Sequence, residues 1–309
     1  MTSPLPPRLR LGTRGSALAR WQAEWVAARL TELGVVVELV PITTKGDVKS
    51  GPLGQIGGEG LFTKELQRAL LDGQINLAVH SLKDLPTTPV EGLSLAAVPE
   101  RESTADVLVS AKASRIEEMP PAARVGTGSL RRKAQLLHLR PDLIVEDIRG
   151  NVETRLRKLD EGEFDAIVLA EAGLKRLGLS DRITHVIPRR TMLPAVGQGA
   201  LGIETRADDA PTRGLLQPLD HFDTHQAVLA ERTLLFDLRA GCLAPVGAWA
   251  RLERDRLLLD AVVLSPDGTQ RLLASGAAEV AAAIALGQQV AGELLGQGAA
   301  ELIAAARGG

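Results

Sequence analysis

The pattern of apolar and polar positions divides the first part of the chain into alternating strands and helices. Short apolar runs predict strands, and longer segments in which apolar residues recur every three or four positions predict helices. The predicted elements are a strand at 9–13, a helix at 16–33, a strand at 35–42, a helix at 61–72 and a strand at 75–79. Two crossovers between successive strands predict a mostly parallel sheet.

A second series of elements of the same style begins near residue 100. Its predicted strands are 106–110, 124–126, 143–148 and 166–169, and its predicted helices are 129–139 and 153–160. From about residue 221 the pattern changes to a helix ending at 238, a hairpin at 248–252 and 256–264, and an alanine-rich terminal helix. The glycine-rich segment 43–60 has no periodicity, which is typical of a lid or a disordered segment.

These patterns predict an α/β protein of several domains. A chain of 309 residues exceeds the size at which one hydrophobic core usually stops growing. We expect two similar, mostly parallel-sheet α/β domains and a smaller α+β C-terminal domain. The predicted boundaries are 1–99 with 200–219 for the first domain, 100–199 for the second and 220–309 for the third.

Composition and charge narrow the class of protein. Hydrophobic residues make up 45% and charged residues 24%, and the net charge of −2 gives no indication of a nucleic-acid partner. The single cysteine excludes an intrachain disulfide and suits a reducing compartment. Residues 1–10 lack the apolar segment of a signal peptide, and no apolar run approaches the ~20 residues that span a bilayer. We therefore expect a cytoplasmic protein without membrane or nucleic-acid partners.

The segment 80–86 carries candidate catalytic chemistry. It places Ser81, Lys83 and Asp84 at the carboxyl end of a predicted buried strand, where open α/β sheets bind their ligands. One acid beside one base suits an anionic substrate that develops positive charge as it reacts. The alternative interpretation is a solvated turn. Cys242, the sole thiol, is either a nucleophilic anchor or a small buried hydrophobic residue.

The strongest anion-binding signals lie in the second predicted unit. Around residues 125–132 a strand runs through a glycine-containing turn into a helix, so backbone N–H groups with the Thr127 and Ser129 hydroxyls can bind carboxylate or phosphate oxygens. Arg131 and Arg132 add bidentate donors that point to different oxygens.

The same design recurs further along the chain. Arg149 and Gly150 follow a strand and precede a helix that carries Arg155, and Arg176 follows a third strand and helix. Each arginine alone is explained as a surface charge. Three basic sites at the ligand-facing ends of one sheet predict a ligand with several carboxylates or phosphates. The sequence lacks the glycine motifs of nucleotide-binding sites, so no nucleotide site is expected. The histidines are scattered, so no metal site is expected either.

Seven segments of the chain, in order and spacing, resemble the porphobilinogen deaminase (hydroxymethylbilane synthase) family. The segments are 13–19 (TRGSALA), 60–66 (GLFTKEL), 78–86 (AVHSLKDLP), 129–132 (SLRR), 149–152 (RGNV), 193–199 (LPAVGQG) and 241–242 (GC). The resemblance spans nearly the whole chain, and several of these segments are long and unusual.

The resemblance implies a transferase that joins four molecules of porphobilinogen, releases ammonia at each step and yields hydroxymethylbilane for tetrapyrrole synthesis. It implies that the product grows on a dipyrromethane cofactor bound covalently through Cys242, in a monomer. Asp84 is the implied catalytic carboxylate, because loss of ammonia leaves an electrophilic azafulvene whose ring nitrogen becomes cationic. The implied cofactor- and substrate-binding residues are Arg14, Ser16, Ser81, Lys83, Thr127, Ser129, Arg131, Arg132, Arg149, Gly150, Arg155, Arg176 and Gln198.

The chain departs from the family pattern at two positions. Glu59 stands in the glycine-rich segment where family members commonly have lysine, so a lid-lysine contact with substrate carboxylates is not expected here. Gly128 stands where the family has serine or threonine, which removes one side-chain donor.

A binding module is the alternative from another class. Two α/β units around an anion site also describe periplasmic-binding-protein-like folds, which is the fold class we expect for the first two domains. A binding module would not need Cys242, and a likeness of fold alone carries little functional weight. A colour test for pyrromethanes with Ehrlich's reagent separates the two classes.

Overall fold

The computed structural model describes residues 7–43, 63–241 and 244–308. The chain divides into two compact units, the first formed by residues 1–101 with 200–225 and the second by residues 102–199 with 226–309. The predicted fold class, a mixed α/β protein with two parallel-rich sheets and a smaller C-terminal sheet, is confirmed. The exact three-domain boundaries stay a prediction.

The described helices and strands follow the order of the chain. The strands are β1 (Arg8–Thr13), β2 (Val36–Pro41), β3 (Leu77–Ser81), β4 (Leu93–Ala97), β5 (Asp106–Ser110), β6 (Arg124–Gly126), β7 (Ile144–Glu146), β8 (Ala166–Ala170), β9 (His185–Val186), β10 (Leu201–Arg206), β11 (Val246–Glu253), β12 (Arg256–Leu264) and β13 (Arg271–Glu279). The helices are α1 (Ala17–Glu32), α2 (Lys64–Leu71), α3 (Leu130–Leu139), α4 (Val152–Asp160), α5 (Glu171–Arg176), α6 (Ala210–Leu216), α7 (Phe222–Asp237), α8 (Ala283–Gly296) and α9 (Ala299–Gly308).

The first unit contains a five-stranded sheet in the order β2-β1-β3-β10-β4. Strand β1 pairs in parallel with β2 and β3, whereas β10 is antiparallel to both of its neighbours. Helix α1 buries Val26 and Leu30 against Leu11, Leu77 and Ile203 of the sheet. Strand β3 therefore lies in the middle of the sheet, with its carboxyl end beside that of β1.

The second unit repeats this strand order in the sheet β7-β6-β8-β5-β9. Strand β6 is parallel to β7 and β8, and β5 is the inserted antiparallel strand. The antiparallel sheet β11-β12-β13 forms a separate layer with α8 and α9, whose core includes Leu234, Leu257, Leu259, Val290 and Leu294. The two five-stranded sheets are alike in the order and direction of their strands. No repeat in the sequence indicates this likeness.

Some elements differ from their predictions. The strand predicted at 75–79, before the segment 80–86, is β3 at Leu77–Ser81. Strands β4, β9, β10 and β13 were not predicted. The predicted single C-terminal helix is two helices, α8 and α9, interrupted at residues 297–298. Most of the predicted lid, residues 44–60, lies outside the described residues. Within the described ranges, no helix combines the length and the apolar character needed to cross a membrane.

Candidate active site

The carboxyl end of β3 presents the predicted catalytic segment. Residues 82–84 form a single 3₁₀ turn directly after Ser81, and the N–H of Leu85 closes it by donating to the Leu82 carbonyl at 3.2 Å. Leu82 and Leu85 are buried, whereas Asp84 between them is exposed. The two leucines thus anchor the turn in the core and leave the carboxylate on its outer side.

A pocket in the first unit brings several predicted residues together. Its lining includes Arg14, Ser16, Ser81 and Asp84, with Gln22 from α1. Ser16 caps α1 as predicted, because its hydroxyl accepts the N–H of Ala19 at 3.3 Å. One guanidinium, one carboxylate and several hydroxyl groups therefore share one concave surface, which suits a ligand that carries a carboxylate and an N–H group. Lys83 is half-buried and is not part of this lining.

Sequence reasoning missed the residues that hold this pocket in shape. Ser81 donates to the side-chain oxygen of Gln22 at 2.8 Å. His80 also lines the pocket, and its Nε2 lies 3.2 Å from Glu204 Oε2. The Gln67 amide donates to Glu204 Oε1 at 3.0 Å. These three side chains are buried. The available signal was an acidic residue inside the apolar run of β10, because a buried carboxylate needs partners.

The second unit contains a buried cluster of two arginines on one carboxylate. Arg131 donates to Asp106 Oδ2 at 2.7 Å, and the Nε of Arg132 donates to Asp106 Oδ1 at 2.9 Å. Gln198 bridges Asp106 Oδ1 at 2.9 Å and the Thr104 carbonyl at 2.8 Å. Burial raises the pKa of Asp106, but the charges of Arg131 and Arg132 outweigh burial and hold that pKa well below its usual range. The carboxylate is therefore ionised at neutral pH.

The balance of charge in this cluster favours an additional anion. Two guanidinium groups share one carboxylate, so one positive charge remains uncompensated within the cluster. Arg131 also donates to the Leu193 carbonyl at 2.6 Å, yet its Nε is buried with no hydrogen-bond partner in the described part of the chain. Sequence reasoning predicted both arginines as ligand-facing donors and missed Asp106, whose position inside an apolar strand was the signal for it.

The loops around these arginines use their own polar groups to begin helices. The Thr127 hydroxyl accepts the N–H of Ser129 at 3.3 Å, and the Ser129 hydroxyl caps α3 by accepting the N–H of Arg132 at 3.4 Å. Arg149 donates to Asp147 at 2.6 Å and is half-buried. Arg155 donates from Nε to the carbonyl of Gly150 at 2.8 Å.

Arg176 is the last residue of α5 and is half-buried. It donates to the carbonyl of Gly199 at 2.7 Å. Burial lowers the pKa of Arg176 to about 10, against the opposing effect of the Glu102 carboxylate, so the guanidinium stays charged at neutral pH.

The departure at Gly128 has a steric side. A Cβ at this position would lie 3.0 Å from the Ile148 carbonyl oxygen and 3.7 Å from a terminal nitrogen of Arg149. A serine here would therefore need a small shift of the neighbouring backbone.

Cys242 and Glu59 lie outside the described residues. Within the described part of the chain, no group of three or more His, Cys, Asp or Glu side chains is placed to hold a metal ion.

Two protein-family models match the chain in order. The model described as "Porphobilinogen deaminase, dipyromethane cofactor binding domain" matches residues 9–214, and "Porphobilinogen deaminase, C-terminal domain" matches residues 225–296. Porphobilinogen deaminases from two strains of Acidithiobacillus ferrooxidans are 51% identical over 302 residues, which cover 97% of this chain and 98% of each relative.

Solved structures with related folds are much more distant in sequence. A putative methionine-binding lipoprotein from Bacillus subtilis is 12% identical, with a TM-score of 0.44 over 69% of this chain and 89% of its own. A periplasmic substrate-binding protein of an ABC transporter from Coxiella burnetii is 15% identical, with a TM-score of 0.43 over 68% of this chain and 91% of its own. These likenesses are too remote to bear on function.

Proposed function

The chain belongs to the porphobilinogen deaminase family, and from that premise we propose that it joins four porphobilinogen molecules head to tail to give hydroxymethylbilane for tetrapyrrole synthesis. One ammonia leaves for each porphobilinogen consumed. The observation that carries the proposal is 51% identity over 97% of the chain to porphobilinogen deaminases. The pocket at the end of β3 supports it, because it offers a guanidinium and a carboxylate to one ligand.

In this proposal Asp84 is the catalytic carboxylate. Its negative charge stabilises the positive charge that develops on a pyrrole nitrogen when ammonia leaves, and it accepts or returns a proton at that nitrogen. Arg14 pairs with a pyrrole carboxylate in the same pocket, assisted by the hydroxyls of Ser16 and Ser81. Lys83 supplies a second positive charge near the same turn.

The residues of the second unit fit a cofactor that carries several carboxylates. The uncompensated charge of the cluster around Asp106 and the orphaned Nε of Arg131 match an anionic ligand. When bound, dipyrromethane would supply the free pyrrole position to which the first new ring is joined, and each later ring would join the ring added before it. The residues that would hold it, or the chain that grows on it, are Thr127, Ser129, Arg131, Arg132, Arg149, Gly150, Arg155, Arg176 and Gln198.

The proposal includes covalent attachment of dipyrromethane through a thioether to Cys242. The family model that matches residues 9–214 is named for dipyromethane binding, and Cys242 is the only cysteine in the sequence. It also includes a cytoplasmic monomer with a first domain at 1–99 with 200–219, a second at 100–199 and a third at 220–309. The matched family models change between residues 214 and 225, which supports the last boundary.

Purified protein incubated with porphobilinogen tests the proposed function directly. We expect one ammonia for each porphobilinogen consumed and one hydroxymethylbilane for every four, measured by ammonia assay and by mass spectrometry of the product. Ehrlich's reagent should give the colour of a bound pyrromethane before substrate is added. A protein that binds porphobilinogen without releasing ammonia would be a binding module, and the proposal would then be wrong.

A further inference from the structure

Thr63 is a buried residue whose hydroxyl has no hydrogen-bond partner among the residues that the structure describes. It lies directly before α2 and is 1% exposed. A threonine in this position usually accepts an N–H from the first helical turn, but Thr63 makes no such capping bond. A buried hydroxyl without a partner costs stability, so the hydroxyl calls for another explanation.

The surrounding hydrogen bonds fix Thr63 in place. Its carbonyl accepts the N–H of Gln67 at 2.9 Å, one turn into α2. The side chain of Gln67 then donates to Glu204 on β10, whose other oxygen contacts His80 on β3. The start of α2 is thereby tied to two central strands, and the backbone of Thr63 is held in place.

Thr63 lines the same pocket as Arg14, Ser16, Ser81 and Asp84. The other two hydroxyls already have partners in the chain, Ser16 as a helix cap and Ser81 on Gln22. Arg14 and the positive end of the α2 dipole both favour a negatively charged group on this side of the pocket.

We propose that the Thr63 hydroxyl donates a hydrogen bond to a carboxylate of the pyrrole bound in this pocket. The inference rests on the proposed function, since it names a further binding residue for that reaction. Glu204 and Gln67 are then positioning residues, which lie outside the pocket lining and hold the start of α2 in place.

The test compares Thr63→Val with Thr63→Ser in the cofactor-bearing enzyme. Valine keeps the branched shape and removes the hydroxyl, whereas serine keeps the hydroxyl. We expect Thr63→Val to raise KM for porphobilinogen about tenfold, the scale of one lost hydrogen bond to a charged group. The KM of Thr63→Ser for porphobilinogen should stay within about twofold of that of wild type. The melting temperature of Thr63→Val should equal or exceed that of wild type, because no bond within the chain is lost.

Thr205→Val is the matched control in the same unit. Thr205 is fully buried on β10 and its hydroxyl donates to the Arg206 carbonyl at 3.2 Å, away from the pocket lining. This variant should lower the melting temperature and leave KM unchanged. Cofactor content is measured in every variant with Ehrlich's reagent, so that a loss of cofactor is not mistaken for weaker substrate binding.

An unchanged KM in folded, cofactor-loaded Thr63→Val would overturn the inference, and so would a loss of stability and turnover with no change in KM. If Thr63→Val does not fold, Thr63→Ala serves as the second variant under the same criteria. A wild-type protein that does not consume porphobilinogen would contradict the proposed function itself, which separates the two failures.

Discussion

At Asp84 a single exposed carboxylate is held at the end of a central strand by buried leucines on either side. Asp84→Asn keeps the size of the side chain and removes its charge. We expect a folded protein that retains its cofactor and turns over about 10² to 10⁴ times more slowly, the scale for one electrostatic or acid–base group. Steady-state ammonia release measures the change.

Asp208→Asn is the control for the change at Asp84, because Asp208 is an exposed aspartate of the first unit that lies outside the pocket lining. Its turnover should match that of wild type. Near-normal turnover of Asp84→Asn would remove Asp84 from the catalytic role.

The charge of Asp106 is expected to affect stability strongly, because it is the fully buried carboxylate shared by Arg131 and Arg132. Asp106→Asn leaves two buried guanidinium groups without their counter-ion and should lower the free energy of unfolding by roughly 3 kcal/mol or more. The folded pKa of Asp106 is depressed. Its contribution is therefore present above the unfolded pKa of about 3.9 and is lost as pH falls further.

Urea unfolding of wild type and Asp106→Asn at several pH values tests this dependence. The difference in unfolding free energy should be full at neutral pH and should shrink below about pH 4. Asp208→Asn should differ from wild type by about 0.5 kcal/mol or less, as is usual for exposed positions. A difference that is constant with pH would show that the ionised form of Asp106 is not what stabilises the fold.

Arg149 is a half-buried arginine paired with Asp147 at 2.6 Å. A pair of this exposure contributes roughly 0–1 kcal/mol to stability, so Arg149→Leu should fold normally and fail in elongation. Mass spectrometry after addition of porphobilinogen should show shorter chains on this variant. The exposed Arg190 provides the control, Arg190→Leu. Arg189 is unsuitable, since it donates to Thr104 at 2.7 Å and stacks on Trp249. Equal elongation by the two variants would contradict the binding role of Arg149.

Among the connecting elements, the segment 193–199 ends on a glycine whose backbone is closely packed. Gly199 has a φ of +85°, and a Cβ there would lie 2.4 Å from the Glu102 carbonyl oxygen. Its own carbonyl accepts the guanidinium of Arg176. Gly199→Ala should destabilise the protein by about 1–3 kcal/mol and weaken substrate binding through displacement of Arg176.

Gly214→Ala is the control for Gly199, because no atom lies within 4 Å of a Cβ at this position in α6. Alanine there should be neutral or stabilising by up to about 1 kcal/mol. Thermal unfolding and KM separate the two variants. A stable Gly199→Ala protein with normal KM would show that the close approach to Glu102 relaxes without consequence.

The sequence placed α1, β5, α3 and β12 to within one residue at each end. It failed for β13, an edge strand of mainly small and aliphatic residues that buries only Ala274. It also placed β3 two residues too early, because Ile75 is apolar and buried yet precedes the strand. Burial produces the apolar pattern, and burial does not by itself decide the backbone conformation.

For the whole molecule, the sequence indicated which side chains carry chemistry but not which partners hold them. Asp84, Ser16 and Arg14 were predicted as functional residues and lie on one pocket. Gln22, Glu204 and Asp106 were missed, since each acts through a contact distant in the chain: Gln22 with Ser81, Glu204 with His80 and Asp106 with Arg131. Local patterns carry no record of such pairings, so the structure was needed to find them.

The covalent chemistry is tested on the intact protein at Cys242, which lies outside the described residues. A thiolate is a strong nucleophile, and the proposed thioether is a covalent modification that survives denaturation. Denaturing mass spectrometry should show a mass above that of the polypeptide by two linked pyrrole units, and peptide mapping should place the adduct on Cys242. Addition of porphobilinogen should give a ladder of species, each heavier by one pyrrole unit.

Cys242→Ser separates attachment from mere binding. An alcohol is a far weaker nucleophile near neutral pH, so this variant should lose most or all of the adduct and the ladder with it. The substitution leaves the cluster around Asp106 unchanged, so this variant can still hold a pyrrole by charge alone. A pyrrole held in that way should leave when the protein is denatured. Wild-type protein that is fully active without an adduct would contradict the covalent mechanism, because chain growth would then proceed on a group that never becomes part of the polypeptide.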